Sequence, residues 1–123
     1  METALRILAV DNEPSVTLSL LYIFAGPRYQ MTAVKSGNDA LAKLDANSER
    51  YDVIMVDQKM PELTGVELVS AIRQRGVTSK IMVLSAHLSA EIRAAYERMD
   101  VHVMFAKPFD VAELRSAVDC LAA

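Results

Sequence analysis

The chain has no tryptophan, one cysteine (Cys120), four glycines and four prolines in 123 residues. A lone thiol excludes an internal disulfide and a cysteine-built metal cluster, and it fits a reducing compartment. No charge of one sign dominates. The formal net charge of -3 carries no overall bias toward nucleic acid or an anionic membrane. No long apolar run is present either. The longest fully apolar stretch, Leu20 to Ala25, is far too short to span a bilayer. The start, METALRILAV, lacks the basic region and longer apolar core of a secretory signal. What is there is a chain 52% hydrophobic and 24% charged, enough to build a core and too apolar for intrinsic disorder. These totals predict one cytoplasmic domain covering residues 1–123, with no membrane association and no direct nucleic-acid binding.

No linker or low-complexity tract divides the chain. Short β-rich apolar runs begin near Leu5, Gln30, Asp52, Lys80 and Val101, with helical periodicity between them. That alternation marks βα units around a parallel sheet. The runs are apolar at consecutive positions, as strands buried on both faces are. Pro14 suits a first helical turn, because the N–H it lacks has no intrahelical partner there. Val16, Leu20, Ile23 and Phe24 follow at helical spacing. A second helix opens at Gly37 or Asn38 and carries Leu41 and Leu44. Thr64 with Glu67 makes a capping box for a third, Ser89 caps a fourth, and Asp110 with Glu113 suggests a box for a fifth. The expected architecture is (βα)5, with right-handed crossovers placing helices on both faces of the sheet.

In open α/β sheets, ligands bind beyond the carboxyl ends of the strands. The first run ends at Asp11, the third at Asp57, the fourth at Ser85 and the fifth at Lys107-Pro108. The second ends at Lys35, which an outer strand would keep away. Each residue alone has an ordinary role as turn former, helix cap or surface charge. Together, two carboxylates, a hydroxyl and an ammonium converging on one sheet edge describe a site. Carboxylates without His or Cys suit a hard divalent cation such as Mg²⁺. Mg²⁺ beside a lysine and a hydroxyl suits transfer of a phosphoryl group.

The segments AVDNEP, YDVIMVDQKMPELTGVEL, IMVLSA and FAKPF resemble the receiver domain of two-component response regulators, over about Leu5 to Leu121. The resemblance implies a doubly wound, flavodoxin-like sheet of order 2-1-3-4-5; the order itself is a standard example of this fold class. It implies that Asp57 takes a phosphoryl group from a phosphohistidine on a sensor kinase or phosphotransfer protein, forming an acyl phosphate. Asp11, Asp57 and the backbone carbonyl of Lys59 would hold Mg²⁺. Ser85 would bond the arriving phosphoryl oxygens and move inward. Lys107 would pair first with Asp57, then with the phosphoryl group, and Lys107-Pro108 would be a cis peptide. The domain would be a switch that assists its own modification rather than an enzyme acting on other molecules. The resemblance places the partner face, and a homodimer contact, on the fourth helix, fifth strand and fifth helix, where Ala90, Ala94, His102 and Met104 contribute. The output, whether an attached domain or a separate partner, is open.

Several positions depart from the family pattern. A second acid normally follows the first, but here it is Asn12. The amide keeps a carbonyl oxygen and loses a charge, gross about 4 kcal/mol for a pair at 4 Å and an effective dielectric near 20. Weakened Mg²⁺ binding follows, not its abolition. Glu13 reads as a helix-start charge facing a positive N-terminus, with a substitute acid as the other reading. Lys59 either repels the metal, pairs with Asp11 or is a solvated loop lysine. His87 reads as a surface histidine beside the mouth, with an influence on water attack as the other reading. Met104 occupies the position of a family Tyr or Phe, so no large aromatic swap couples Ser85 to the output face. Phe105 faces the other side of the sheet. These departures motivate a second hypothesis, a receiver-like interaction module working without regulated phosphorylation. A flavin carrier is disfavoured, since the acidic DNEP would repel a flavin phosphate.

Overall fold

The computed structural model describes residues 4–46 and 50–122. Five strands alternate with five helices: β1 (Leu5–Val10), α1 (Pro14–Ile23), β2 (Tyr29–Val34), α2 (Gly37–Ala46), β3 (Val53–Val56), α3 (Gly65–Gln74), β4 (Lys80–Ser85), α4 (Ala90–Arg98), β5 (Val103–Ala106) and α5 (Val111–Ala122). The strands form one parallel sheet of order β2-β1-β3-β4-β5. This is the flavodoxin-like architecture expected from the sequence. The last strand starts two residues later than the apolar run suggested, because Val101 and His102 lie before the pairing of Val103 with Met82.

The consecutive apolar runs are explained by two cores. On one face, Leu8, Val10, Ile54, Val56 and Val83 pack against residues of α2, α3 and α4, including Ala40, Leu68, Ile72 and Tyr96. On the other, Ile7, Ala9, Met55, Met82 and Leu84 pack against Leu20, Phe24, Leu114 and Val118 of the α1 and α5 region. Each fully buried aliphatic or aromatic side chain contributes ~1.5–3 kcal/mol relative to exposure. Met104 and Phe105 of β5 join opposite cores, as alternation requires.

The helix starts follow local chemistry. Thr64 and Glu67 form a reciprocal capping box on α3. The Ser89 side chain accepts from the Ile92 N–H at the start of α4. Asp110 accepts from the Glu113 N–H before α5. Pro14 occupies the first turn of α1. Among the described residues, no helix is long and apolar enough to cross a membrane.

Candidate functional site

The sheet ladder continues past the strand ends and sets the height of the polar residues. The Asp11 N–H donates to the Val34 carbonyl at 3.2 Å, the Asp57 N–H to Val10 at 3.1 Å and the Lys107 N–H to Ser85 at 3.3 Å. Asp11 and Asp57, each 3% exposed, therefore stand side by side at the carboxyl edge of the two central strands. The Asp11 Oδ1 accepts from the Glu13 N–H at 2.9 Å, a local bond that bends the chain from β1 into α1. Glu13 is the N-cap residue of α1, yet its side chain makes no capping bond. Its Oε1 instead lies 3.3 Å from the Lys107 ammonium. The helix-start reading of Glu13 is thus corrected: the turn after Asp11 brings its carboxylate to the pocket.

Lys107 is the hub. Its Nζ lies 2.7 Å from Asp11 Oδ2, 3.3 Å from Glu13 Oε1 and 3.6 Å from Asp57 Oδ2. The expected first partner, Asp57, is the most distant of the three. The Glu13 N–H holds one Asp11 oxygen, which leaves the other for the ammonium. Burial pushes the Asp11 carboxyl above the ordinary carboxylate range, aided by the nearby Asp57 charge and opposed by the bonds from Lys107 and Glu13. Burial works against the Lys107 ammonium, but its bond to Asp11 and the charges of Asp11, Asp57 and Glu13 outweigh it and hold its pKa above that of an ordinary lysine.

The three acids suit a cation. One oxygen each from Asp11, Glu13 and Asp57 can be chosen so that all lie within 4.8 Å of one another. Three carboxylates with no nitrogen or sulfur donor fit a hard divalent ion, Mg²⁺ among them. Asn12, Lys59 and His87 line the same pocket beside Asp57 and Lys107, and all three are exposed. Ser85 is wholly buried at the end of β4, and its hydroxyl accepts from the His87 N–H at 3.1 Å. It is Ala86, not Ser85, that lines the pocket wall. The Lys107–Pro108 peptide is cis. The residues assigned to an output face lie elsewhere: Ala90 and His102 are exposed, while Ala94 and Met104 are half-buried. His102 is 3.3 Å from Asp100 on the surface.

Sequence reasoning passed over Gln58, and took Gly65 only as part of the receiver-like segment after Asp57. Gln58 is buried, and its carbonyl accepts from the Gly65 N–H at 2.9 Å. A side chain at Gly65 would put a Cβ 2.6 Å from the Asp57 carbonyl oxygen and against the Tyr96 hydroxyl. Glycine is therefore the only residue that lets α3 start this close to the Asp57 peptide. Residue type gave no sign of the part Gln58 plays, since an amide after a strand is ordinary in a loop.

A family model described as "Response regulator receiver domain" matches residues 7–119. Sporulation initiation phosphotransferase F of Bacillus subtilis is 26% identical over 113 residues, covering 92% of this chain and 90% of that protein. Transcriptional regulatory protein PrrA of Mycobacterium tuberculosis is 33% identical over 119 residues, covering 97% of this chain. There the chain spans only 50% of the relative's length. Among solved structures, the Vibrio cholerae chemotaxis protein CheY4 superposes with a TM-score of 0.87 at 27% identity, covering 96% of this chain and 98% of that one.

Proposed function

The chain belongs to the response regulator receiver domain family, and from that membership we propose that it is a phosphorylatable switch whose acceptor is Asp57. The observation that carries the proposal is the buried Asp57 carboxylate set beside Asp11, Glu13 and Lys107 in a pocket with an exposed rim. An Asp57 oxygen attacks the phosphorus of a phosphohistidine. The O–P bond forms, the P–N bond breaks, and the imidazole leaves with the electron pair and takes up a proton. The product on Asp57 is an acyl phosphate.

Asp11, Glu13 and Asp57 would hold Mg²⁺, joined by the backbone carbonyl of Lys59 and, weakly, by Asn12. The ion when bound neutralises charge on the phosphoryl oxygens. Lys107 supplies a second positive charge from within the chain. It can follow the developing negative charge from the carboxylates to the phosphoryl group without crossing a large distance. Ser85, at the end of β4, would bond a phosphoryl oxygen after releasing the His87 N–H. Glu13 restores an acid that Asn12 withholds, so Mg²⁺ affinity is reduced less than Asn12 alone would imply.

The donor is a sensor histidine kinase or a phosphotransfer protein. An apolar groove lined by Val16, Leu18, Tyr22, Phe109 and Val111 opens onto Glu13 and Lys107, and it suits the apolar helix that would carry the donor histidine. Signalling then passes to a partner or attached output domain through Ala90, Ala94, His102 and Met104, with a homodimer through the same face as one form. The chain spans 50% of the length of PrrA, and no nucleic-acid contact is assigned to this domain. The lone free thiol, Cys120, is in keeping with the cytoplasm.

Intact mass after incubation with acetyl phosphate and Mg²⁺ tests the proposal. A gain of one phosphoryl group that disappears in Asp57→Ala is expected. Absence of labelling at every Mg²⁺ concentration, and from a phosphohistidine donor, would favour an interaction module that Asn12 and Lys59 have disabled for transfer.

A further inference from the structure

Helix α4 has one buried residue, Tyr96. Its ring is fully enclosed in the core shared by α2, α3 and α4. Its hydroxyl reaches the phosphoacceptor loop and donates to Gln58 Oε1. The same oxygen accepts from the Val66 N–H at 3.0 Å. An amide oxygen has two lone pairs, so the two donors saturate it. Gln58 shares a peptide with Asp57, and the Gly65 Cα stands where any Cβ would strike both the Asp57 carbonyl and the Tyr96 hydroxyl. The acceptor peptide, the start of α3 and the buried side chain of α4 therefore meet at one point.

We propose that Gln58 and Tyr96 are a positioning pair that couples the state of Asp57 to the placement of α4. The pair rests on the phosphoacceptor reading for its purpose, though not for its geometry. A change of charge or bulk on the Asp57 side chain is transmitted through the shared peptide to the Gln58 amide. That amide is held by directional bonds in a close-packed interior, where displacement of one group must move its neighbours. Tyr96 follows, and α4 with it. Met104 contributes no polar link of this kind, being a flexible thioether half-buried on β5. The coupling runs through the β3–α3 loop instead.

A double-mutant cycle tests the coupling without requiring phosphorylation. Amide hydrogen exchange in α4 is measured for the wild type, Asp57→Asn, Tyr96→Phe and the double variant, with α5 on the opposite face as the control. Tyr96→Phe removes only the hydroxyl. Asp57→Asn is expected to change α4 protection about three- to tenfold when Tyr96 is present, the span of a single hydrogen bond, and much less in the Tyr96→Phe background. An α4 response to Asp57→Asn that is equal with and without the hydroxyl, or absent in both, overturns the pair. If Tyr96→Phe does not fold, Gln58→Leu removes the acceptor and closes the same cycle. Intact mass with acetyl phosphate, read on the same proteins, separates the two claims. Loss of labelling in the wild type defeats the switch and leaves the cycle to decide the pair.

Discussion

Asn12 and Glu13 follow Asp11 and line the same pocket, one neutral and one acidic. Asn12 is exposed at the rim and neutral. Glu13, also largely exposed, turns its carboxylate to within 3.3 Å of Lys107 and joins the acidic cluster. Solvent screening of so exposed a carboxylate limits its worth. Glu13→Gln is expected to weaken Mg²⁺ binding severalfold, and Asn12→Asp to strengthen it by a similar or larger factor. Titration followed by tyrosine fluorescence or calorimetry checks both. Equal affinity of Glu13→Gln and the wild type would remove Glu13 from the site. The loss at Asn12 was legible in the sequence, because residue type alone states a missing charge. The gain at Glu13 was only one of two readings, because its direction depends on the turn that Asp11 closes by accepting the Glu13 N–H.

Among the elements, α3 carries the most consequence for the site, since its first turn abuts the Asp57 peptide. The Thr64 N–H donates to Glu67 Oε1 at 2.9 Å, and the Glu67 N–H donates to Thr64 Oγ1 at 3.3 Å. Thr64→Ala is expected to cost about 1 kcal/mol in urea denaturation at neutral pH. The bond from the Thr64 backbone N–H, reinforced by its side chain, holds the Glu67 carboxyl below the ordinary value of 4.5. A lowered folded-state pKa gives stability that is present above the unfolded value and lost as pH falls through the folded one. The penalty of Glu67→Gln should therefore shrink as pH drops below about 4.5. A penalty that stays constant from neutral to strongly acidic pH would show that the carboxylate charge is irrelevant to the cap. All five helices were readable in advance, and so were the starts of four of them, because caps and apolar periodicity act within a few residues. The start of α2 was left between Gly37 and Asn38, and Ser36, which accepts from the Asp39 N–H, was not named.

For the whole molecule, the sheet is what gathers the charges, and it does so at a cost. Asp11 is buried beside Asp57, and burial, with a smaller push from the Asp57 charge, holds its carboxyl above the ordinary range. A divalent cation would offset the burial of these carboxylates and their repulsion in the folded state, and meet no such cluster in the unfolded chain. Mg²⁺ at a hundred times its Kd is thus expected to add about 2.7 kcal/mol of stability. For a domain of this size that is a rise in Tm of roughly 10 °C. The rise should be smaller in Asp57→Asn. Thermal melts across a Mg²⁺ series decide the matter, and a Tm that never moves would exclude the acidic cluster as a metal site. The two apolar cores pack opposite faces of the strands that end in the pocket.

By itself, the sequence determined the alternation of strands and helices, the polar residue ending each central strand, and the absence of an acid at Asn12. These are local: a run buried on both faces, a cap and a residue's own charge are written within a few positions. The tertiary structure decided which groups actually meet. Lys107 finds Asp11, 96 residues away, as its nearest partner rather than Asp57. Tyr96 finds Gln58, 38 residues away, through a gap that only Gly65 leaves open. Such contacts depend on how far one packed element can approach another, a distance set by side chains on both and by neither alone.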